Sequence, residues 1–304
     1  MSQPKTKSNS NMKTISVALT LCLVCSVLVS AMAVGLKPMQ TKNQALDLNK
    51  NILVAADLFD PAKDTNADVA QRFADFDVKI VDLKTGDYLA DEDLAKVGIA
   101  DRDSYDANQA SKNKALSEDL GNDDPAGIGS KPKYAKVFVK EDASGNPEMV
   151  VLPIKGYGLW GTIYGFLTLE GDLNTIKGIS FYQHKETPGL GARIEEPKWR
   201  AQWTGIHSYD ESGNVATGVT KAGNPKDNWV DGISGATLTS RGVSNMIQFW
   251  LGDRGYKPYL DHLREKSGQK LSSEPQKTTS ASAATPSTQA IPSTPISYAH
   301  VKEA

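Results

Sequence analysis

Gly156-Tyr157-Gly158-Leu159-Trp160-Gly161-Thr162-Ile163-Tyr164-Gly165-Phe166-Leu167-Thr168-Leu169-Glu170 decides which kind of fold this chain can adopt. Its first six residues match G-x-G-x-x-G. A dinucleotide-binding turn with that spacing needs a strand before it, a helix after it and an acid about 20 residues on. Here the residues that follow, Thr162 to Glu170, alternate as a strand does. The doubly wound reading therefore fails. The glycines instead let the backbone turn tightly or approach a planar ligand closely. Tyr157 and Trp160 are then either core residues or the packing surface for such a ligand.

Outward from that stretch the strand signals continue. Asp172-Leu173-Asn174 turns the chain into Thr175–Tyr182, another strand. Upstream, Tyr134–Lys140 and Met149–Ile154 flank the turn Ala143-Ser144-Gly145-Asn146-Pro147 and read as a hairpin. Val78–Leu83 reads as a strand before the turn at Lys84–Asp87. Downstream, Glu195-Glu196-Pro197 opens a helix through Trp203, the two acids serving as helix-start residues. Further helices are expected at 238–251 and 259–266. The fold class expected is α+β, with antiparallel strands and packed helices. Residues 134–266 are read as the principal domain.

Two segments carry little apolar mass. Residues 86–133 are rich in Asp, Asn, Lys and Gly and read as a solvated, loop-rich insertion with one short helix near 91–97. Residues 267–304 are mostly Ser, Thr, Pro, Ala and Gln, too poor in apolar side chains to offset the entropy of ordering, and read as a disordered tail.

Residues 1–14 carry Lys5, Lys7 and Lys13 and no acid, and 22 uncharged residues follow from Ile15 to Leu36. At 1.5 Å per residue such a helix spans a hydrocarbon core of about 30 Å. A secretory signal with cleavage after Ala31-Met32-Ala33 competes with a permanent anchor, but the run is longer than a signal core and favours the anchor. The basic flank places the N-terminus in the cytoplasm and the rest of the chain outside it. Residues 43–58 read as an amphipathic helix leading out of the membrane, stopped by Asp60-Pro61, within a linker and acidic region spanning 37–133. The only cysteines, Cys22 and Cys25, lie inside the apolar run and read as small apolar residues. A formal net charge of −2 with no basic stripe gives no case for nucleic acid. The histidines at 184, 207, 262 and 300 show no metal-ligand spacing.

Asp231-Gly232-Ile233-Ser234-Gly235-Ala236-Thr237-Leu238-Thr239-Ser240 is a polar turn running into an apolar-periodic helix. One reading is a Ser or Thr helix cap. The other is a phosphate site, because a helix N-terminus leaves backbone N–H groups free and carries positive potential. Ser234, Thr237 and Thr239 are the hydroxyls such a site offers. Glu186-Thr187-Pro188-Gly189-Leu190-Gly191 reads as a Pro-Gly turn or as a flexible wall beside a ligand.

Asp231–Thr237 resembles the flavinylation motif of bacterial proteins that hold FMN on a threonine. Together with Gly156–Gly161, Glu186-Thr187-Pro188-Gly189-Leu190-Gly191-Ala192-Arg193 and Pro197–Trp203, it resembles the C subunit of sodium-translocating NADH:quinone reductases, a family whose flavin motif the G subunit of Rnf-type complexes shares. The resemblance covers the apolar run and residues 134–252, and more loosely 40–85. It implies that a flavin transferase, using FAD and releasing AMP, esterifies the Thr237 hydroxyl to the FMN phosphate. It assigns Asp231 and Ser234 to recognition and loop shape. Gly235, Ala236, Leu238 and Thr239 join them as FMN-binding candidates. So do Trp160, Glu186, Thr187, Gly189 and Leu190. It implies an inner-membrane, single-pass electron-transfer protein with a periplasmic FMN domain. The complex of six subunits would oxidise NADH, reduce ubiquinone and move Na+ outward, with no complete active site or metal site on this chain. The rival expectations are an Rnf-type electron-transport protein and a membrane-anchored scaffold in which the turn is only a cap.

Overall fold

The structure, a computed structural model, describes residues 8–269 and Leu271. In chain order the first elements are α1 (Ser8–Ala55), α2 (Asn66–Phe73) and β1 (Asp77–Asp82). Short elements follow: α3 (Asp91–Leu94), α4 (Ala107–Ala110), β2 (Ser117–Asp119) and β3 (Ser130–Pro132). The main strands are β4 (Tyr134–Glu141), β5 (Pro147–Tyr157), β6 (Thr162–Glu170) and β7 (Ile176–Gln183). Then come α5 (Pro197–Arg200), α6 (Thr237–Leu251) and α7 (Lys257–Ser267).

Alternate side chains of a strand face opposite sides, and here both sides are apolar. On β5, Val150, Leu152 and Ile154 enter one core while Met149 and Val151 enter another. The five-stranded sheet, in the order β1-β4-β5-β6-β7 with every pairing antiparallel, is thus buried on two faces. One face is covered by α6 and α7, whose Val243, Met246, Ile247, Tyr259 and Leu260 are fully buried. The other is covered by the end of α1 and by α2, through Ile52, Leu53 and Val69. Tyr256 donates its hydroxyl to the Pro153 carbonyl at 2.7 Å, and Trp250 donates Nε1–H to the Lys155 carbonyl at 2.7 Å, fixing the helical layer to the central strand. Gly178 lets α1 lie close against β7, since a Cβ there would stand 2.6 Å from the Ala55 carbonyl oxygen.

Several expectations change. The apolar run and the segment from 43 onward are one helix of 48 residues with Pro38 inside it. That helix ends at Ala55, before the expected stop at Asp60-Pro61, and Asp57 reverses the chain at φ +56°. The boundary drawn at residue 134 cuts through a sheet, because β1 pairs with β4 from Asp77↔Val139 to Asp82↔Tyr134. The insertion is not simply solvated. It forms the β2–β3 hairpin, and its Leu94, Ile99, Tyr105 and Ala110 bury against Ile80 of β1. Its apolar residues are too far apart to show a period, yet each lands on the sheet's edge. At the other end Gln269 donates Nε2–H to the Gly171 carbonyl at 2.8 Å and Leu271 packs on the main core, so the first residues assigned to the tail are docked. The remainder of that tail and residues 1–7 lie outside the described residues.

Candidate functional site

Asp231 is a structural hub. Its N–H donates to Gln202 Oε1 at 3.1 Å, its carbonyl accepts Trp199 Nε1–H at 2.9 Å, and its carboxylate accepts the Gly223 N–H at 2.9 Å. The Pro197–Trp203 segment therefore carries the loop that leads to α6, with Trp203 fully buried beneath it. Gly235 then takes φ +79°, a conformation open to residues without a Cβ penalty, and delivers the chain to α6.

The helix begins at Thr237, with Ala236 as the N-cap residue and no side-chain cap. That removes the hydroxyl-cap reading. Ser240 Oγ accepts the Ile233 N–H at 3.0 Å, and Thr239 Oγ1 is turned inward. The first backbone bond into the helix comes from Ser240 N–H to the Ala236 carbonyl. The N–H groups of Thr237, Leu238 and Thr239 precede it and, by helix geometry, have no intrahelical acceptor. Thr237 and Ser234 are exposed, while Thr239 is 1% exposed.

Beneath the surface lies Glu186, 5% exposed. Its Oε1 accepts the N–H groups of Leu159 and Trp160, each at 3.0 Å, and its Oε2 accepts the Thr239 hydroxyl at 2.5 Å. The neighbouring His184 orients this strand end: Nδ1 accepts the Glu186 N–H at 3.1 Å, so the ring proton sits on Nε2, 2.8 Å from Glu195 Oε1. Glu196 is the N-cap residue of α5 with Pro197 in its first turn, as the sequence reading expects, while the two carboxylates turn to His184 and Arg193 and neither caps the helix.

The G-x-G-x-x-G glycines serve close internal packing. A Cβ on Gly156 would lie 2.6 Å from Met246 Cβ, and one on Gly158 would lie 2.5 Å from Glu186 Oε1. With the turn pressed against α6, its large side chains are pushed outward. Tyr157 is 50% exposed, Leu159 40% and Trp160 62%, which excludes a core role for Tyr157 and Trp160. Leu190 at 46% and Leu238 at 45% complete the group. Among the described residues, every other exposed large apolar side chain is on α1, between Met12 and Met39. Leu190 borders the 231–237 loop directly, its Cδ2 being 3.3 Å from where a Gly235 Cβ would be. The Thr187 carbonyl accepts the N–H groups of Leu190 and Ala192, and Gly189 at φ +75° closes that turn.

The sequence-derived residues therefore separate. Thr237, Ser234, Gly235, Leu238, Trp160, Thr187, Gly189 and Leu190 form an exposed rim, whereas Glu186, Thr239 and Ala236 lie below it and Asp231 shapes the loop. Leu159 and Gly242 join the site from the structure alone. A glycine inside an otherwise apolar helix pattern is the signal that marks Gly242 as a close approach, and its Cβ would stand 2.4 Å from the Tyr157 carbonyl oxygen. The described residues contain no His, Cys, Asp or Glu cluster able to hold a metal.

This arrangement coincides with what the chain resembles. The FMN-binding domain family matches residues 158–252, from the Glu186-bound turn to the end of α6. The C subunit of the Na(+)-translocating NADH-quinone reductase of Pseudomonas aeruginosa is 41% identical over 262 residues, covering 84% of this chain and 97% of the relative. Its counterpart in Neisseria meningitidis serogroup B is 40% identical over 259 residues, covering 84% and 95%. The crystal structure of Shewanella oneidensis NqrC superposes with a TM-score of 0.63 at 33% identity, covering 72% of this chain and 97% of that one. Sharing the sequence along nearly the whole length of those relatives, and their fold, the chain belongs to the NqrC family, the C subunits of Na(+)-translocating NADH-quinone reductases.

Proposed function

We propose that Thr237 carries FMN as a phosphoester and that the chain serves as a one-electron relay within a sodium-translocating NADH:ubiquinone reductase. The observation that carries this reading is the meeting of an exposed hydroxyl, an uncapped helix N-terminus and the exposed apolar group formed by Leu159, Trp160, Leu190 and Leu238. Those residues fit the group. Free N–H groups and the helix dipole favour the phosphate charge. The apolar side chains give a planar ring a surface to lie on, and Gly235 and Gly189 leave the backbone beside it unobstructed.

In the maturation step, Thr237 Oγ1 forms a bond to the flavin-side phosphorus of FAD. The pyrophosphate bond breaks, AMP leaves, and the hydroxyl proton passes to the flavin transferase. Bound there, FMN supplies reversible electron transfer. The chain itself keeps the cofactor from dissociating and holds the site at the protein surface, open to redox partners. Sites for NADH, quinone and Na+ belong to the other subunits of the complex.

The helix from Met12 to Ala55 is apolar and long enough to cross a membrane. In this reading its Ile15–Leu36 part anchors the chain in the inner membrane, with Lys5, Lys7 and Lys13 on the cytoplasmic side and the sheet domain in the periplasm.

Full-length protein co-expressed with a flavin transferase, denatured and run on a gel, should show a fluorescent band that Thr237→Ala abolishes. A dark wild-type band, or undiminished fluorescence in Thr237→Ala, overturns the assignment.

A further inference from the structure

We propose that Glu186 is a positioning residue of this site, and that its buried carboxylate, which no cation neutralises, makes the bound flavin harder to reduce. This rests on the reading that FMN is attached at Thr237.

Two segments that share no strand or helix meet on this one side chain, and a third begins at its backbone. Oε1 holds the turn that presents Leu159 and Trp160, Oε2 holds the first turn of α6 through Thr239, and the Glu186 backbone begins the loop that presents Leu190. No rearrangement of the surrounding backbone can relax this contact cheaply. A Cβ on Gly191 would lie 2.7 Å from Oε2 and 2.6 Å from Thr239 Oγ1, and one on Gly158 would lie 2.5 Å from Oε1. The carboxylate is thus packed between two glycine backbones, with every residue it bonds adjoining the exposed apolar group.

Its charge follows from its partners. Both backbone N–H groups and the Thr239 hydroxyl donate to it, a pattern that suits the carboxylate. Glu186 takes part in none of the ion pairs among the described residues; Lys185, beside it in sequence, is exposed and makes no ion pair with it, and Arg193 pairs with Glu196. The positive end of α6, which Thr239 belongs to, is its partial counterweight. A fixed negative charge below a redox group opposes the arrival of an electron. Inside a protein its effect is screened far less than in water.

Glu186→Gln separates the charge from the clamp. The amide oxygen can accept the Leu159 and Trp160 N–H groups, and the amide nitrogen can donate to Thr239 Oγ1, which accepts as readily as it donates. All three contacts survive while the charge disappears. Glu186→Asp keeps the charge but is one methylene too short to reach both sides.

The experiment is an anaerobic dithionite titration of detergent-solubilised, flavin-loaded full-length protein, followed by flavin absorbance in the presence of mediators. Flavin fluorescence anisotropy is recorded on the same samples. Glu186→Gln is expected to raise the midpoint potential, corresponding to roughly a three- to tenfold gain in the equilibrium constant for electron uptake, with unchanged anisotropy. Glu186→Asp is expected to stay nearer the wild-type potential but to lower the anisotropy as the turn and helix loosen. A Glu186→Gln potential equal to wild type overturns the proposal, as does a shift of equal size in Glu186→Asp. Absence of flavin from the wild-type protein overturns the Thr237 assignment and this inference with it. A fluorescent wild-type band with an unshifted Glu186→Gln overturns this inference alone.

Discussion

Gly242→Ala is a substitution for which helix propensity and packing give opposite answers. In a solvated helix interior, replacing Gly by Ala stabilises by about 1 kcal/mol. In α6 the new methyl would meet the Tyr157 carbonyl oxygen at 2.4 Å and Gly158 Cα at 3.0 Å. Both are backbone atoms, and the Leu159 and Trp160 N–H groups just beyond them are held by Glu186. Neither can swing aside as a side chain would. Overpacking costs about 1–3 kcal/mol, and a 2.4 Å approach to a backbone oxygen belongs in the upper part of that range, about 2–3 kcal/mol, so a net loss of about 1–2 kcal/mol remains after the propensity gain. For a domain of this size that is a fall in Tm of about 2–8 °C. The assay is thermal unfolding of detergent-solubilised full-length protein followed by tryptophan fluorescence. A Gly242→Ala protein as stable as its parent, or more stable, would refute the claim that α6 and the 156–161 turn are in backbone contact. If the turn is displaced instead, the exposed Trp160 should report it as a change in its emission in the folded state.

Thr239→Ala is expected to retain gel fluorescence, because the Thr239 hydroxyl is buried against Glu186, while losing about 1–3 kcal/mol from withdrawal of a donor from that carboxylate; urea midpoints and the gel test the two halves separately. Burial holds Lys155 down to about 8, whereas an unfolded lysine stays protonated to about 10.4. The unfolded chain thus binds more protons above pH 8, and stability should rise between about pH 8 and 10. Lys155→Met should flatten that rise in urea midpoints taken across the window. Tyr259→Phe removes the 2.8 Å hydroxyl contact with Tyr88 that joins α7 to the loop after β1, with an expected loss of about 1 kcal/mol by the same measurement.

The strands are legible in the sequence because the turns at Asn146-Pro147 and Asp172–Asn174 are strong, although the strand expected over Met149–Ile154 runs on from Pro147 to Tyr157, into the glycine stretch. Rejecting the dinucleotide fold needs only the alternation of Thr162–Glu170. Of the insertion only the short helical stretch at 91–97 is legible; its burial is not, because β1 supplies the surface that Leu94, Ile99 and Tyr105 bury against, and a non-local partner leaves no period in the segment itself. At the site, Thr237 is singled out by resemblance, not by chemistry, since Ser234, Thr237 and Thr239 are equal on paper. Geometry sets aside Thr239, which is turned inward, and leaves Ser234 and Thr237 both exposed. The task of Glu186 is hidden for a related reason. A Glu beside a Pro-Gly turn looks solvent-facing, and its inward course depends on Gly158 and Gly191, whose missing side chains make the room.

The unbroken course of α1 has a geometric consequence. Residues 37–45 are exposed helix between the apolar stretch and the first packed residue, Leu46. Each helical residue adds about 1.5 Å and turns the axis by about 100°. One residue inserted there would swing the sheet, and Thr237 with it, more than a quarter turn about α1. Seven inserted residues would raise it by about 10 Å yet return it to within about 20° of its original bearing. The direction in which Thr237 faces is therefore a count of residues, kept like the tooth number of a gear, and a one-residue change at the stalk re-aims Thr237 without touching any side chain around it.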